Sequence, residues 1–143
     1  MNSAFGAEAM RDKVILIARL LLAALFVVFG WGKLIGFGGT VAEFGQAGLA
    51  FPTLAAVISV VMELGVGVAI AVGVFTRPLA VLLAVYTLAT ALIGHRFWTM
   101  TGAAQVEAEI NFFKNVSIMG GLFLLYATGP GRFSLDRRLG FGG

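Results

Sequence analysis

Cysteine is absent from this chain of 143 residues, histidine occurs once and proline three times. Without a thiol there is no disulfide, no thiol nucleophile, and no iron–sulfur or thiolate metal site built by this chain alone. The single imidazole, His95, excludes a haem held by two histidines of one chain. No haem, iron–sulfur cluster or metal is therefore expected, and redox chemistry would need an organic cofactor, a quinone or a partner subunit. Charge is scarce as well. Asp, Glu, Lys and Arg make up 12% of the residues, about half the share found in soluble domains. The net charge of +3 is small and forms no basic stripe with interleaved aromatics, which leaves no footprint for a nucleic acid.

What the chain has in abundance is apolar length. Hydrophobic residues are 59% of it, and the mean hydropathy is +0.98. Four apolar runs, at about residues 14–32, 53–75, 78–94 and 110–128, are each long enough, or nearly so, to cross a hydrocarbon core of about 30 Å as helices rising about 1.5 Å per residue. The expected fold is thus all-α, an integral membrane bundle of four transmembrane helices in one domain, 1–143, with the lipid bilayer as its partner. The first run is longer than the apolar part of a signal peptide, contains Arg19 and lacks a small-x-small cleavage site, so it reads as an uncleaved span. The glycine-rich stretch 36–52 is too short to cross and reads as an interfacial helix or lid in which Glu43 is solvated. Residues 1–12 read as a short frayed end, and 99–109 as a polar loop. Four crossings put both termini on one side. Arg11, Lys13, Arg77, Arg132, Arg137 and Arg138 gather there, against Lys33, Arg96 and Lys114 opposite, so the positive-inside bias makes both termini cytoplasmic.

The second run carries one ionisable group, Glu63, near its middle. A carboxylate at that depth costs roughly 2.5–3.5 kcal/mol on insertion scales, so it should face protein or water. Ala55, Ser59, Glu63, Gly67 and Ala71 share one i, i+4 row whose small residues admit a close neighbour. In the first run Arg19, Ala23, Phe26, Gly30 and Lys33 repeat at 4, 3, 4, 3 spacing and define its inner face. Arg19 is the expected partner of Glu63, at a depth difference of about 7–8 Å, because a guanidinium can satisfy a carboxylate through two hydrogen bonds. Lys114 is the second candidate, from the opposite side. Lys33, His95, Asn111, Lys114 and Asn115 converge towards the far end, where His95 and Glu63 are candidate proton carriers and Arg19, Lys33, Glu63, His95, Asn111, Lys114 and Asn115 are candidate ligand contacts. Plainer readings stand beside these: Lys33 as a boundary anchor, Arg19 and Glu63 as a purely structural ion pair, Asn111 and Asn115 as helix cross-links. Tyr86, Thr87 and Thr90 read as interhelical hydrogen-bonding groups.

Taken in order, RLLLAALFVVFGWGKL, MELGVG, GVFTRP, GHRFW, NFFKN and GPGRFSLD resemble the DoxX family of small bacterial membrane proteins. The resemblance covers nearly the whole chain and implies four transmembrane helices in the cytoplasmic (inner) membrane. It also implies a link to quinone-coupled thiosulfate oxidation, to complexes handling thiol and oxidative stress, or to quinone and catechol tolerance. The recurring polar positions it implies are Arg19, Lys33, Glu63, Arg77, His95, Asn111, Lys114 and Asn115. The expected function is that of a membrane subunit binding a quinone or another lipophile in a polar pocket within the bundle, walled by Trp31, Phe97, Trp98, Phe112 and Phe113. The alternatives are a scaffold for a soluble redox partner and, less favoured, a small-solute transporter, which would require a homo-oligomer.

Overall fold

A computed structural model of the chain describes residues 2–141; the expected frayed end begins with Met1, which lies outside them. The described residues form helices and no strand: α1 (Asn2–Ile35), α2 (Phe37–Gln46), α3 (Pro52–Val60), α4 (Gly67–Val72), α5 (Thr76–Gly94), α6 (Gly102–Thr128) and α7 (Leu135–Leu139). A π-helical stretch, Val61–Val66, joins α3 to α4 in one unbroken crossing. Four segments are long and apolar enough to cross a membrane: Phe5–Ile35, Pro52–Val72, Thr76–Thr99 and Gly102–Thr128. Between 17% and 33% of each apolar window is buried inside the protein, so most of each helix surface is left for acyl chains, as at Leu21, Val28 and Leu124.

The helices stop where the chain chemistry changes. Pro52 opens α3 at a position where its missing N–H is no loss. At the end of α4, Gly73 adopts a left-handed conformation (φ 74°), and the Val74 and Gly73 N–H groups return to the carbonyls of Ala69 and Ile70. This glycine turn satisfies the last carbonyls before α5 begins. Two boundaries differ from the sequence reading. Residues 2–12 continue α1 outwards as helix, and 102–109 are the first two turns of α6, so the loop there shrinks to residues 95–101 around a short turn at Phe97–Thr99. Ala103, Ala104, Gln105, Glu107, Ala108 and Glu109 are strong helix formers, and polarity alone does not unwind them at a membrane surface. The 36–52 stretch does contain a short helix, α2, packed on α3 with Glu43 exposed.

The core lies along the predicted seam. Arg19, Ala23, Phe26 and Gly30 are buried and Lys33 is half-buried. Ala23 and Phe26 share the core with Met62, Val66 and Ile70 of the second crossing, Ala80, Leu83 and Ala84 of α5, and Leu122 and Leu125 of α6. In lipid this association is driven by packing, and small residues set how near two backbones come. Gly67 lies against Phe26 and Val27, and Gly30 against Glu63 and Leu64. These two contacts fix α1 antiparallel to the second crossing. Asn115 of α6 donates to the Thr87 carbonyl (3.4 Å) and to Thr90 Oγ1 (3.2 Å), joining α6 to α5.

Gly30 is the tightest of these positions, since a Cβ there would collide with the Leu64 backbone nitrogen and sit 2.9 Å from Glu63 Cβ. The obstacle is largely backbone, so relief requires the helices to separate. Gly30→Ala should lower stability by about 1–3 kcal/mol, the range for overpacking, read as a fall in melting temperature of the detergent-solubilised protein. Gly32→Ala, with open space around it, should leave it unchanged.

Candidate functional site

Glu63 lies within the π turn. The extra residue that such a turn accommodates rotates the helix face, and Met62, Glu63 and Val66 all become buried. Turns of this kind are over-represented at functional positions. Because Gly30 brings the α1 backbone against Glu63, Lys33, one turn further along α1, can fold back onto the carboxylate. Lys33 Nζ donates to Glu63 Oε2 at 2.6 Å. From α5 the Tyr86 hydroxyl donates to Glu63 Oε1 at 2.7 Å, and the Ser59 side chain faces that same hydroxyl from the turn preceding Glu63. Three crossings thus converge on one carboxylate, and each of its oxygens receives a short charge-assisted bond.

The expected cation was another one. Arg19 is 2% exposed but does not reach Glu63. Its guanidinium donates to three backbone carbonyls at the terminal end of the bundle, those of Ala71 (3.2 Å), Phe133 (2.7 Å) and Pro130. The reason is register. Gly30 is level with Glu63, so Arg19, eleven positions earlier, is about 16 Å away along the axis, beyond the reach of either side chain. Lys114 does not approach Glu63 either. It is exposed and donates to Asn111 Oδ1 at 2.8 Å. Lys33 in turn is not a boundary anchor, since its ammonium turns inward to Glu63.

The predicted ligand contacts therefore divide into separate groups. Lys33 and Glu63 stand together. Arg19 belongs to the terminal end. At the far end Asn111 and Lys114 pair with each other, and the Lys114 charge acts on His95, which is half-exposed just after α5. Asn115 is committed to linking α5 and α6. Four of the expected aromatics, Phe97, Trp98, Phe112 and Phe113, pack on one another at centroid distances of 5.3–6.1 Å, while Trp31 is 55% exposed on α1. Among the described residues no group of three or more His, Asp or Glu side chains is placed to hold a metal ion.

Tyr86 is the group whose role the sequence reading underestimated. It was legible as an interhelical hydrogen-bond donor but not as the second ligand of Glu63. Depth would have revealed it: counted inward from the far end, Tyr86 is eight residues before Gly94 and Glu63 eleven after Pro52, a difference of about one helical turn.

What the cluster can do follows from its unfilled capacity. Both Glu63 oxygens are engaged, and its side chain is 10% exposed. Lys33 has three N–H donors, makes one hydrogen bond and keeps 26% of its side chain exposed. An ammonium held at this depth with donors to spare is suited to a carbonyl or another neutral acceptor arriving from the bilayer. Arg19, enclosed and bonded to three carbonyls, is not.

The sequence model of the DoxX family matches residues 14–96, a segment that contains Lys33, Glu63 and Tyr86. Over 134 residues the chain is 52% identical to "Inner membrane protein YphA" of Escherichia coli (strain K12), which covers 94% of this chain and 96% of the relative. It is 37% identical over 135 residues to "Inner membrane protein YqjF" of the same organism, covering 92% of this chain and 96% of the relative. A shorter likeness, 32% over 76 residues, links it to "Uncharacterized protein T02E1.7" of Caenorhabditis elegans, covering 53% of this chain and 28% of that protein. No solved structure matches it.

A pair that neutralises itself in lipid should be far more sensitive to loss of one member than of both. Lys33→Met should cost about 3 kcal/mol, the low end for a broken buried pair because Lys33 is partly exposed. Lys33→Met combined with Glu63→Gln should recover most of that, so a double-mutant cycle should show a coupling of about 3 kcal/mol, the upper end of the usual range. Unfolding of the four proteins in one mixed-detergent titration measures it; strict additivity would show that the two side chains do not interact.

Proposed function

The chain belongs to the DoxX family, and from that premise we propose that it is the membrane subunit of a redox system and binds a quinone, or another lipophile with a carbonyl head, at Lys33, Glu63 and Tyr86. The observation that supports this reading is the half-buried ammonium of Lys33, fixed by Glu63 at 2.6 Å with donors left over. A quinone carbonyl entering from the acyl-chain region would accept from Lys33 Nζ, and the Tyr86 hydroxyl would be the second donor within reach once it turned from Glu63 Oε1. Glu63 orients the lysine and is the group through which a proton would enter or leave. His95, Asn111 and Lys114, beside the four packed rings, form the rim towards the far face. Because the chain has neither thiol nor paired haem ligands, electrons would come through a partner protein or through the ligand itself.

The names of the two Escherichia coli relatives support the bacterial inner membrane as the location. The excess of cationic residues at the terminal end supports cytoplasmic termini. A C-terminal green fluorescent protein fusion should fluoresce, and alkaline phosphatase inserted at Gly48 should be active. The reverse pattern would invert the topology.

Ligand binding is tested by thermal shift of the purified protein with a short-chain ubiquinone. At a free concentration of 100 times Kd the ligand should stabilise the wild type by about 2.7 kcal/mol. The combined Lys33→Met and Glu63→Gln variant, which keeps the bundle neutral, should show no shift, while Lys114→Met should keep most of it. A shift that survives loss of Lys33 and Glu63 would refute this site.

A further inference from the structure

At the terminal end of the bundle, remote from Glu63, the chain encloses a cleft of about 940 Å³, at the upper end of the sizes usual for small-molecule sites. Four arginines line it from four parts of the chain: Arg11 on α1, Arg77 at the start of α5, Arg132 in the turn after α6, and Arg137 on α7.

Two of the acids that also line it are already engaged. Asp136, 4% exposed, caps the start of α5 by accepting from the Phe75 and Thr76 N–H groups at 2.7 and 2.9 Å. Asp12 accepts from the Arg132 N–H at 3.4 Å and lies 3.9 Å from the Arg11 guanidinium. Glu8 is exposed on the first turns of α1. Among the described residues no carboxylate is within ion-pair distance of the Arg132 or Arg137 guanidinium; Arg132 lies over the Phe133 ring instead. Cations are therefore in excess where a ligand would enter. A further observation fits a bound group: Phe75 and Phe141 stack at 5.3 Å on the border of the cleft with more than half of each ring residue exposed. An arginine-lined recess bordered by exposed rings, at the end of a transmembrane bundle, matches an anion whose attached chain continues into the membrane.

We propose that this cleft binds a phosphate group, presented either by an anionic phospholipid headgroup or by a small soluble phosphate. The side chains of Arg132 and Arg137 supply the contacts that can be removed without unfolding, since both are exposed and, apart from the Arg132 contact with the ring of its neighbour Phe133, only their backbone N–H groups support the fold.

The test is native mass spectrometry of the full chain in dodecyl maltoside with dioleoylphosphatidylglycerol or dioleoylphosphatidylcholine, together with thermal shifts in inorganic phosphate. The wild type should retain phosphatidylglycerol in preference to phosphatidylcholine. Arg132→Gln combined with Arg137→Gln should reduce that retention about tenfold. Lys13→Gln combined with Arg138→Gln removes the same charge from the same end outside the cleft and should leave it intact. A phosphate-induced shift that is lost only in the Arg132/Arg137 variant, with no preference between the lipids, supports the cleft with a soluble phosphate as its source. Equal loss in both double variants, or neither lipid preference nor phosphate shift in the wild type, overturns the proposal.

Discussion

A carboxylate in the middle of a transmembrane helix is the constraint around which this bundle is arranged. Left alone, Glu63 would oppose insertion by several kcal/mol, and the first three crossings contribute to removing that penalty. The first gives Gly30, whose missing side chain lets the backbones touch, and Lys33, whose charge cancels that of Glu63. The second gives the π turn that directs Glu63 inward, and the third gives Tyr86. The geometric and electrostatic terms are inseparable. Any side chain at Gly30 would move α1 outwards, and the lysine one turn away would move with it. A single glycine thereby governs whether the buried acid is neutralised.

A second polar lock operates independently at the other end. Arg19 draws together the carbonyls of Ala71, Pro130 and Phe133, while Asp136 holds the N–H groups that open α5 and donates its own N–H to the Gly73 carbonyl at 2.8 Å. Gly73 is the counterpart of Gly30 here. A Cβ on it would lie 2.8 Å from the Arg19 guanidinium and 2.6 Å from Ser134 Cβ. The segment after α6 is therefore part of the bundle, held by backbone groups that the surrounding helix ends and turns leave without helical partners.

Much of this was readable in the chain itself. The count of crossings followed from apolar length. The inner face of the first crossing followed from the 4, 3, 4, 3 spacing, and every residue from Arg19 to Gly30 on it is buried. Helical periodicity reports which residues share a face, because that is a property of one helix. It does not report how far two helices slide along each other, and there the reading failed. Aligning the apolar limits of the two crossings is the step that misleads, because Gly30, close to the far limit of the first run, is level with Glu63, near the middle of the second. Depths measured from those limits brought Arg19 too close to Glu63 and left Lys33 too far away. The contact that fixes the slide is Gly30 against Leu64, a relation between backbones that no pattern within one helix encodes. The π turn was hidden for a similar reason, since it is stabilised by what Glu63 meets after assembly. The helical start of α6 is a different case, in which residue propensity was overruled by polarity in the reading although not in the fold.

The chemistry of the two ends now separates cation from cation. Arginine presents five donors in a rigid plane and suits a position where several acceptors are fixed around it. Arg19 occupies such a position, and with three carbonyls bound and almost no surface exposed it has little left to offer a ligand. Lysine is a compact charge on a flexible stem with three donors, and Lys33 spends one on Glu63 while remaining partly open. The acid that makes the site costly is also what keeps an ammonium at this depth. Remove the acid and the flexible stem would carry the charge out to the interface, as lysines near helix ends do. Keep it, and a strong hydrogen-bond donor stands inside the bilayer, where its water competitors are excluded and a neutral acceptor gains most from meeting it.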